Sequence, residues 1–227
     1  MRLIKLTNMM GILVLATAAM NAAVITLTFE GLKDSEPINN YYNGGLGGSG
    51  SGPGPNYGIT FTSDSLALIS NQDGGTGNFD GQPSGVTVAF FLTGAGDTMN
   101  VAAGFTSGFS FYYSSPFFPG SVTVWSGPNG TGTQLAMLSL PTTTEGLGVP
   151  PCNDIDQYCP WVPFGVTFSG TAESVVFTGT ANRIGFDNIT LGSDVPTGAV
   201  PEPASSLLII SGLSVLGVAA RRFRKRI

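Results

Sequence analysis

The sequence predicts an all-β protein whose body is a single β-sandwich of the jelly-roll type. Two observations predict this fold class. Short segments that alternate apolar and polar residues recur along the body between Gly-rich turn signals. No segment of the body shows the period of an amphipathic helix. An N-terminal signal peptide and one C-terminal transmembrane helix are predicted to flank this domain.

Ten segments of the body have the length and composition of β-strands. One of them, at 86–92, is apolar almost throughout, as expected of a buried central strand. The pair Asn129-Gly130 predicts a hairpin between two others. The ten segments are 24–29, 58–62, 66–69, 86–92, 108–113, 121–126, 134–140, 164–169, 174–178 and 183–191.

A Gly-rich segment at 43–58 has the composition of a flexible linker. The single strand before it is too short to form a domain of its own. We therefore expect a long loop within one sandwich.

The N-terminus has the outline of a secretory signal peptide. Arg2 and Lys5 precede an apolar run at 9–20, and small residues follow this run. Cleavage is predicted after Ala22 or Ala23. The alternative is an uncleaved signal anchor, which would need a longer apolar run.

The last 28 residues combine three features. Pro201, Glu202 and Pro203 interrupt regular structure, because proline lacks the backbone N–H that helices and sheets require. The apolar segment at 204–220 would span about 26 Å as a helix, slightly less than a hydrocarbon core. A basic cluster follows, which should stay cytoplasmic and leave the rest of the chain outside: Arg221, Arg222, Arg224, Lys225 and Arg226.

The chain therefore divides into five predicted parts. These are a signal peptide (1–22), a β-sandwich domain (23–195), a linker with the Pro-Glu-Pro motif (196–203), a transmembrane helix (204–220) and a basic cytoplasmic tail (221–227).

The order of Pro-Glu-Pro, short apolar helix and basic end resembles the PEP-CTERM sorting signal of Gram-negative bacteria. In that family the signal is processed by an exosortase, a membrane-embedded cysteine protease, in organisms that make exopolysaccharide. The resemblance implies export through the Sec machinery and inner-membrane anchoring during sorting. A cell-surface or extracellular location would follow. The alternative is an ordinary C-terminal membrane anchor, which leaves the Pro-Glu-Pro unexplained.

The body between the two ends is strongly acidic. Only Lys33 and Arg183 stand against fourteen Asp and Glu residues in 24–203, which leaves a net charge of −12. A domain with this charge cannot neutralise phosphates, so nucleic acid is excluded as a partner. It would instead attract divalent cations.

The two cysteines, Cys152 and Cys159, are predicted to form a disulfide. An exported protein reaches an oxidising compartment, where a close pair of cysteines is oxidised. A redox or metal role would need a Cys-x-x-Cys spacing or histidine partners, and the chain has neither.

The chain contains no histidine. This excludes Ser-His-Asp and Cys-His catalysis and most acid–base chemistry near neutral pH. Paired carboxylates remain a route to glycoside hydrolysis, but no spacing in the sequence selects a pair. We therefore expect no catalytic residue and no enzyme activity.

The first and last strands carry a second resemblance. The motif Phe29-Glu30-Gly31 and the motif Phe186-Asp187-Asn188 are similar to the ends of carbohydrate-binding jelly-roll modules. In such modules the two strands lie close together, and their acidic side chains often share a structural Ca²⁺. The resemblance implies a calcium site at Glu30 and Asp187, with Asn188 as a third ligand. The alternative is that these side chains only bond backbone groups.

The same resemblance implies a polysaccharide ligand. Trp161 in the disulfide loop and Tyr112 on a predicted strand are the candidate ligand-binding residues. The function expected from these observations is a structural or adhesive protein of an exopolysaccharide or biofilm matrix. A carbohydrate-binding module with a defined glycan site is the alternative, and a secreted glycosidase or lyase has the least support.

Overall fold

A computed structural model describes residues 24–143, 152 and 158–198 of the protein. The predicted signal peptide, the Pro-Glu-Pro motif, the predicted transmembrane helix and the basic tail all lie outside the described residues. Within those residues, no helix has the length and apolar character needed to cross a membrane.

The body is a sandwich of two antiparallel β-sheets, as predicted. The strands are β1 Ile25–Leu27, β2 Glu36–Pro37, β3 Ile59–Phe61, β4 Ser65–Ile69, β5 Thr87–Phe91, β6 Gly96–Phe105, β7 Gly108–Ser114, β8 Gly120–Gly127, β9 Thr131–Leu140, β10 Val162–Thr167, β11 Ala172–Thr178 and β12 Gly185–Leu191. One sheet has seven strands in the order β10-β7-β12-β5-β4-β2, with β1 also paired to β12, and the other has five in the order β3-β6-β11-β8-β9.

Each of the ten predicted strands corresponds to an observed one, and the predicted hairpin joins β8 to β9. Two strands were not predicted: the two-residue β2 and the ten-residue β6. In β6 the inward positions are Asp97, Met99 and Val101. The buried aspartate interrupts the apolar alternation, so the pattern does not identify the strand.

The core between the sheets is rich in phenylalanine. On β7, Phe109, Phe111 and Tyr113 are fully buried, whereas Tyr112 between them lies half-buried on the outer face. Phe177 of β11 packs edge-on against Phe186 of β12 with ring centroids 4.9 Å apart, which ties the two sheets together. Each such ring contributes about 1.5–3 kcal/mol by its burial.

The Gly-rich segment at 43–58 is a loop within the one sandwich, as predicted. It winds around the buried carboxylate of Glu36. Oε1 of Glu36 accepts hydrogen bonds from the backbone N–H groups of Ser49 (2.7 Å) and Ser51 (3.0 Å), and Oε2 accepts one from Lys33 (2.7 Å). Burial alone would raise the pKa of Glu36, but hydrogen bonds from Ser51, Lys33 and Ser49 outweigh it and lower the pKa to about 2. An ionised buried side chain therefore orders a segment whose composition is that of a linker.

Candidate functional site

The two acidic motifs meet at a break in the seven-stranded sheet. On one side of β12, β5 pairs with Gly185 and Phe186, and β1 pairs with the stretch from Ile189 to Leu191. Asp187 and Asn188 lie between these two ladders. On the other side of β12, the register with β7 shifts between Asp187 and Thr190. The expected proximity of the first and last strands is confirmed by the pairing of β1 with β12.

Asp187 is fully buried at this break. Its carboxylate accepts hydrogen bonds from the backbone N–H of Ser84 (2.9 Å), the hydroxyl of Ser84 (3.0 Å) and the backbone N–H of Asn188 (2.7 Å). Burial raises the pKa of Asp187 to about 8 despite these bonds, and the charge of Glu30 adds to the rise.

Glu30 approaches the same segment from the end of β1. Its Oε1 accepts hydrogen bonds from the backbone N–H groups of Val86 (3.0 Å) and Thr87 (2.8 Å). Between Ser84 and Val86, Gly85 has φ +44°, and a Cβ on it would lie inside the van der Waals surface of the Glu30 carboxyl group. A glycine at 85 is therefore needed for Glu30 to reach its position.

The site has oxygen atoms that suit a hard cation. Asn188 is 1% exposed with φ +48°, and its Oδ1 has no hydrogen-bond partner among the described residues, while its amide nitrogen donates to the carbonyl of Thr197 (2.7 Å). The two basic residues of the body interact elsewhere, Lys33 with the carbonyl of Ser49 and Arg183 with Tyr158. Two carboxylates and a buried amide oxygen fit the oxygen ligands that Ca²⁺ prefers.

A larger acidic metal cluster is not present in the part of the chain that the structure describes. No group of three or more His, Cys, Asp or Glu side chains there is arranged to hold a metal ion. A cation at Glu30 and Asp187 would need the Asn188 amide or backbone carbonyls to complete its shell.

The predicted disulfide is confirmed. Cys152 and Cys159 are bonded, with Cα atoms 5.7 Å apart, and both are buried. The bond closes a short loop directly before Pro160 and Trp161, so it anchors the chain where it enters β10.

Trp161 packs into a small second cluster on the outer face of the seven-stranded sheet. Its ring lies edge-on to Phe79 at a centroid distance of 5.9 Å, and its Nε1 donates to the carbonyl of Asp80 (3.1 Å). Trp161 is only 9% exposed, so little of its indole is open to a ligand. Tyr112 packs against the same cluster, so the structure does bring the two candidate ligand-binding residues together.

A cavity of about 30 Å³ lies beside this cluster, lined in part by Tyr158, Trp161 and Asn182. It has room for about one water molecule. The ligand-binding role of Trp161 and Tyr112 stays a prediction.

Sequence reasoning missed Ser84 and Gly85, which together position both acidic side chains. The available signal is the turn sequence Gln82-Pro83-Ser84-Gly85 directly before the apolar strand β5. It indicates a turn, but it does not indicate that a strand more than a hundred residues later contacts that turn.

Comparison with known proteins confirms the sorting signal. Residues 199–225 match the PEP-CTERM protein-sorting motif. The motif implies an exported protein that is held transiently in the membrane and processed by an exosortase. A comparison with curated proteins gave no match.

The solved structures to which this chain is similar include adhesin and carbohydrate-binding domains. A cleaved adhesin domain of Lys-gingipain has 15% identity and a TM-score of 0.46, and the match covers 74% of this chain and 99% of that one. A carbohydrate-binding module of lichenase 5A from Cellvibrio mixtus, solved with cellotriose, has 15% identity and a TM-score of 0.35, covering 58% and 88%. Modules of xylanase 10B from Clostridium thermocellum, solved with xylohexaose, have 12% identity and a TM-score of 0.35, covering 74% and 30%.

Proposed function

We propose that the protein is a non-catalytic component of the cell envelope or extracellular matrix, with a structural or adhesive role in an exopolysaccharide-rich biofilm matrix. The observation that carries the proposal is the sorting motif at 199–225, attached to an acidic β-sandwich. The motif supplies the route to the cell surface. The high negative charge keeps an exported domain soluble by self-repulsion.

The buried carboxylates support a non-catalytic body. Asp97 bonds the Thr62 hydroxyl and the backbone N–H of Thr98, and Glu36 and Asp187 bond backbone N–H groups in the same way. Each of these carboxylates maintains a loop or a strand junction. A glycosidase would instead direct a pair of carboxylates at one open cleft.

Mass spectrometry of the mature C-terminus from native cells tests the sorting step. In cells with an active exosortase we expect a C-terminus near Pro203 that lacks the basic cluster. A Glu202→Ala variant should keep that cluster and accumulate in the inner membrane. The matched control, Asp194→Ala, alters an exposed acidic residue eight positions earlier and should be processed normally. An intact basic end in the wild-type protein would show a plain membrane anchor.

The matrix role is tested separately by fractionating biofilms. The processed protein should be recovered with the exopolysaccharide and should be released when that polysaccharide is digested enzymatically. Recovery in the culture medium without digestion would contradict a role within the matrix.

A carbohydrate-binding module is the second candidate function, and the packing of Tyr112 and Trp161 in one aromatic cluster on the outer face of the seven-stranded sheet favours it. Because Trp161 is buried, its replacement would also destabilise the fold, so Tyr112→Ala is the better test of binding. It should weaken retention on a polysaccharide column, whereas Met137→Ala on the other sheet should not. Equal retention of the two variants would remove this cluster as the site.

We propose in addition that Glu30, Asp187 and Asn188 hold a structural Ca²⁺. The support is the buried carboxyl group of Asp187, which no basic side chain approaches among the described residues, and the Oδ1 of Asn188, which has no hydrogen-bond partner there. Calcium would neutralise both carboxylates and link the first strand to the last. We expect the melting temperature of the full chain to rise by several degrees on adding Ca²⁺ and to fall with a chelator. No change in either direction would refute the site.

A further inference from the structure

A groove of about 200 Å³ lies on the outer face of the five-stranded sheet, remote in the sandwich from the cluster around Trp161. Its floor is formed by the adjacent strands β3 and β6, and one wall comes from the hairpin between β8 and β9. The lining includes polar and small side chains: Asn43, Thr60, Asn100, Ala102, Pro128 and Glu173. The Asn43 side chain is exposed, and Thr60, Asn100 and Glu173 are half-buried.

The pairing of β11 with β6 is irregular beside the groove. The register shifts between Ala172, which pairs with Phe105, and Ser174, which pairs with Asn100. Only Glu173 separates the two positions in β11, whereas four residues, 101–104, separate them in β6, so the extra residues belong to β6. One of these residues, Ala102, lines the groove together with Glu173. Such bulges are common beside binding sites.

The wall opposite Asn43 is held in place by hydrogen bonds. The backbone N–H of Asn129 donates to Oδ1 of Asn100 (2.7 Å), and Nδ2 of Asn100 donates to Oδ1 of Asn129 (2.9 Å). The buried hydroxyl of Ser174 accepts from the N–H of Gly130 (2.9 Å) and donates to the carbonyl of Gly127 (2.6 Å). These four bonds fix the hairpin tip, and Pro128 with it, on the surface of the sheet. The groove therefore exists before any ligand binds, which reduces the entropic cost of binding.

The chemistry of the groove selects hydroxyl groups. The carboxylate of Glu173 accepts hydrogen bonds, and the amide of Asn43 and the hydroxyl of Thr60 both donate and accept. The amide of Asn100 already bonds Asn129 and keeps one N–H that can donate. Beside the groove, Tyr57 adjoins Gly58 and is 41% exposed, with its ring stacked on Tyr42 at an interplanar angle of 13°. An exposed, supported aromatic ring offers an apolar face to a sugar ring.

Charge decides which sugars fit. Glu173 is the one ionisable side chain that lines this groove in the described structure, and the body carries a net charge of −12. An acidic sugar would therefore be repelled both locally and by the whole domain. A neutral sugar meets no such penalty, and its adjacent hydroxyls can donate to the Glu173 carboxylate.

We propose that this groove binds a residue of a neutral, hydroxyl-rich polysaccharide. The volume fits about one sugar ring, and the groove is open, so the chain of the polysaccharide can continue beyond it. The site goes beyond the proposed matrix role, because sorting and matrix location do not require a ligand here. Failure of this proposal would leave the C-terminal processing experiment unaffected.

Affinity electrophoresis of the full chain in detergent tests the proposal, with soluble β-glucan and xyloglucan as neutral probes and polygalacturonate as the acidic one. We expect saturable retardation by at least one neutral probe and none by polygalacturonate. Glu173→Ala should weaken that retardation about tenfold, because it removes the charged acceptor. Ala102→Trp should abolish it by filling the groove while every polar group remains.

Two variants serve as matched controls. Asp73→Asn removes one exposed negative charge from a loop of the seven-stranded sheet, away from the groove. Met137→Trp adds an indole at an exposed position of β9, in the same five-stranded sheet as the groove. Both should bind as the wild type does, and thermal melting should confirm that all four variants are folded. Retardation by polygalacturonate, unchanged retardation of both groove variants, or no retardation by either neutral probe would overturn the proposal.

Discussion

The carboxylate of Asp187 accepts a hydrogen bond from the backbone N–H of Ser84 at 2.9 Å, although 103 residues separate the two positions. This contact closes the gap in the seven-stranded sheet where β1 ends and β5 begins beside β12. The loss of one side chain would therefore affect three strands at once.

Asp187→Ala is expected to lower the free energy of unfolding by about 2–4 kcal/mol. The variant leaves the buried N–H groups of Ser84 and Asn188 without an acceptor, at about 1–3 kcal/mol each. Urea denaturation measures the change. Asp194→Ala, an exposed carboxylate in the following segment, is the control and should change stability by less than about 0.5 kcal/mol.

Asp187→Asn separates the structural role from the calcium role. The amide keeps the size of the side chain but cannot become the carboxylate that Ca²⁺ binds, so the fold should form while the rise in melting temperature with Ca²⁺ disappears. A variant that still responds to Ca²⁺ as the wild type does would place the cation elsewhere.

Gly85→Ala should destabilise the protein by about 3 kcal/mol. A methyl group there meets the Glu30 carboxyl group, and the positive φ adds about 1 kcal/mol. Gly50 has φ +89° with no atom within 4 Å of an added Cβ, so Gly50→Ala measures the backbone cost alone. Equal losses in the two variants would mean that the approach of Glu30 is unimportant.

The lowered pKa of Glu36 predicts that acid destabilises the Gly-rich loop at 43–58. The pKa of Glu36 is lowered to about 2 from 4.5, so its ionised form stabilises the folded state fully above about pH 5. That stabilisation falls as the pH drops from 4.5 towards 2. Denaturation at pH 7, 4, 3 and 2 should show the wild type more stable than Glu36→Gln at pH 7, with the difference shrinking in this window. A constant difference would contradict the lowered pKa.

Removing the disulfide should weaken the protein without unfolding it. The Cys152→Ser, Cys159→Ser double variant opens a loop with a sequence separation of 7, for which the chain-entropy model gives about 2.5 kcal/mol. The far-ultraviolet circular dichroism spectrum should keep its β-sheet form, while the melting temperature falls by several degrees. Loss of the β-sheet spectrum would show that the sandwich depends on this bond.

Local patterns were sufficient for the parts of the fold that depend on neighbouring residues. Alternation in 108–113 predicts β7, because its inward and outward residues follow one another directly. The spacing of Cys152 and Cys159 predicts the disulfide, and Asn129-Gly130 predicts the turn between β8 and β9. The strand β6 could not be predicted, because its buried Asp97 is stabilised by Thr62, a residue of another part of the chain.

The sequence by itself determined the sorting signal, the all-β class, the acidic charge and the absence of histidine, since each is a property of composition or of adjacent residues. The sequence also pointed to Glu30, Asp187 and Asn188, but the groups that surround them and the groove at Glu173 were decided only by the tertiary structure. Sheet pairing brings Ser84 to Asp187, and the pairing of β11 with β6 puts Glu173 and Asn100 in the same groove. Contacts of this kind depend on which strands lie side by side, and strand order follows from packing over the whole sandwich rather than from any local pattern.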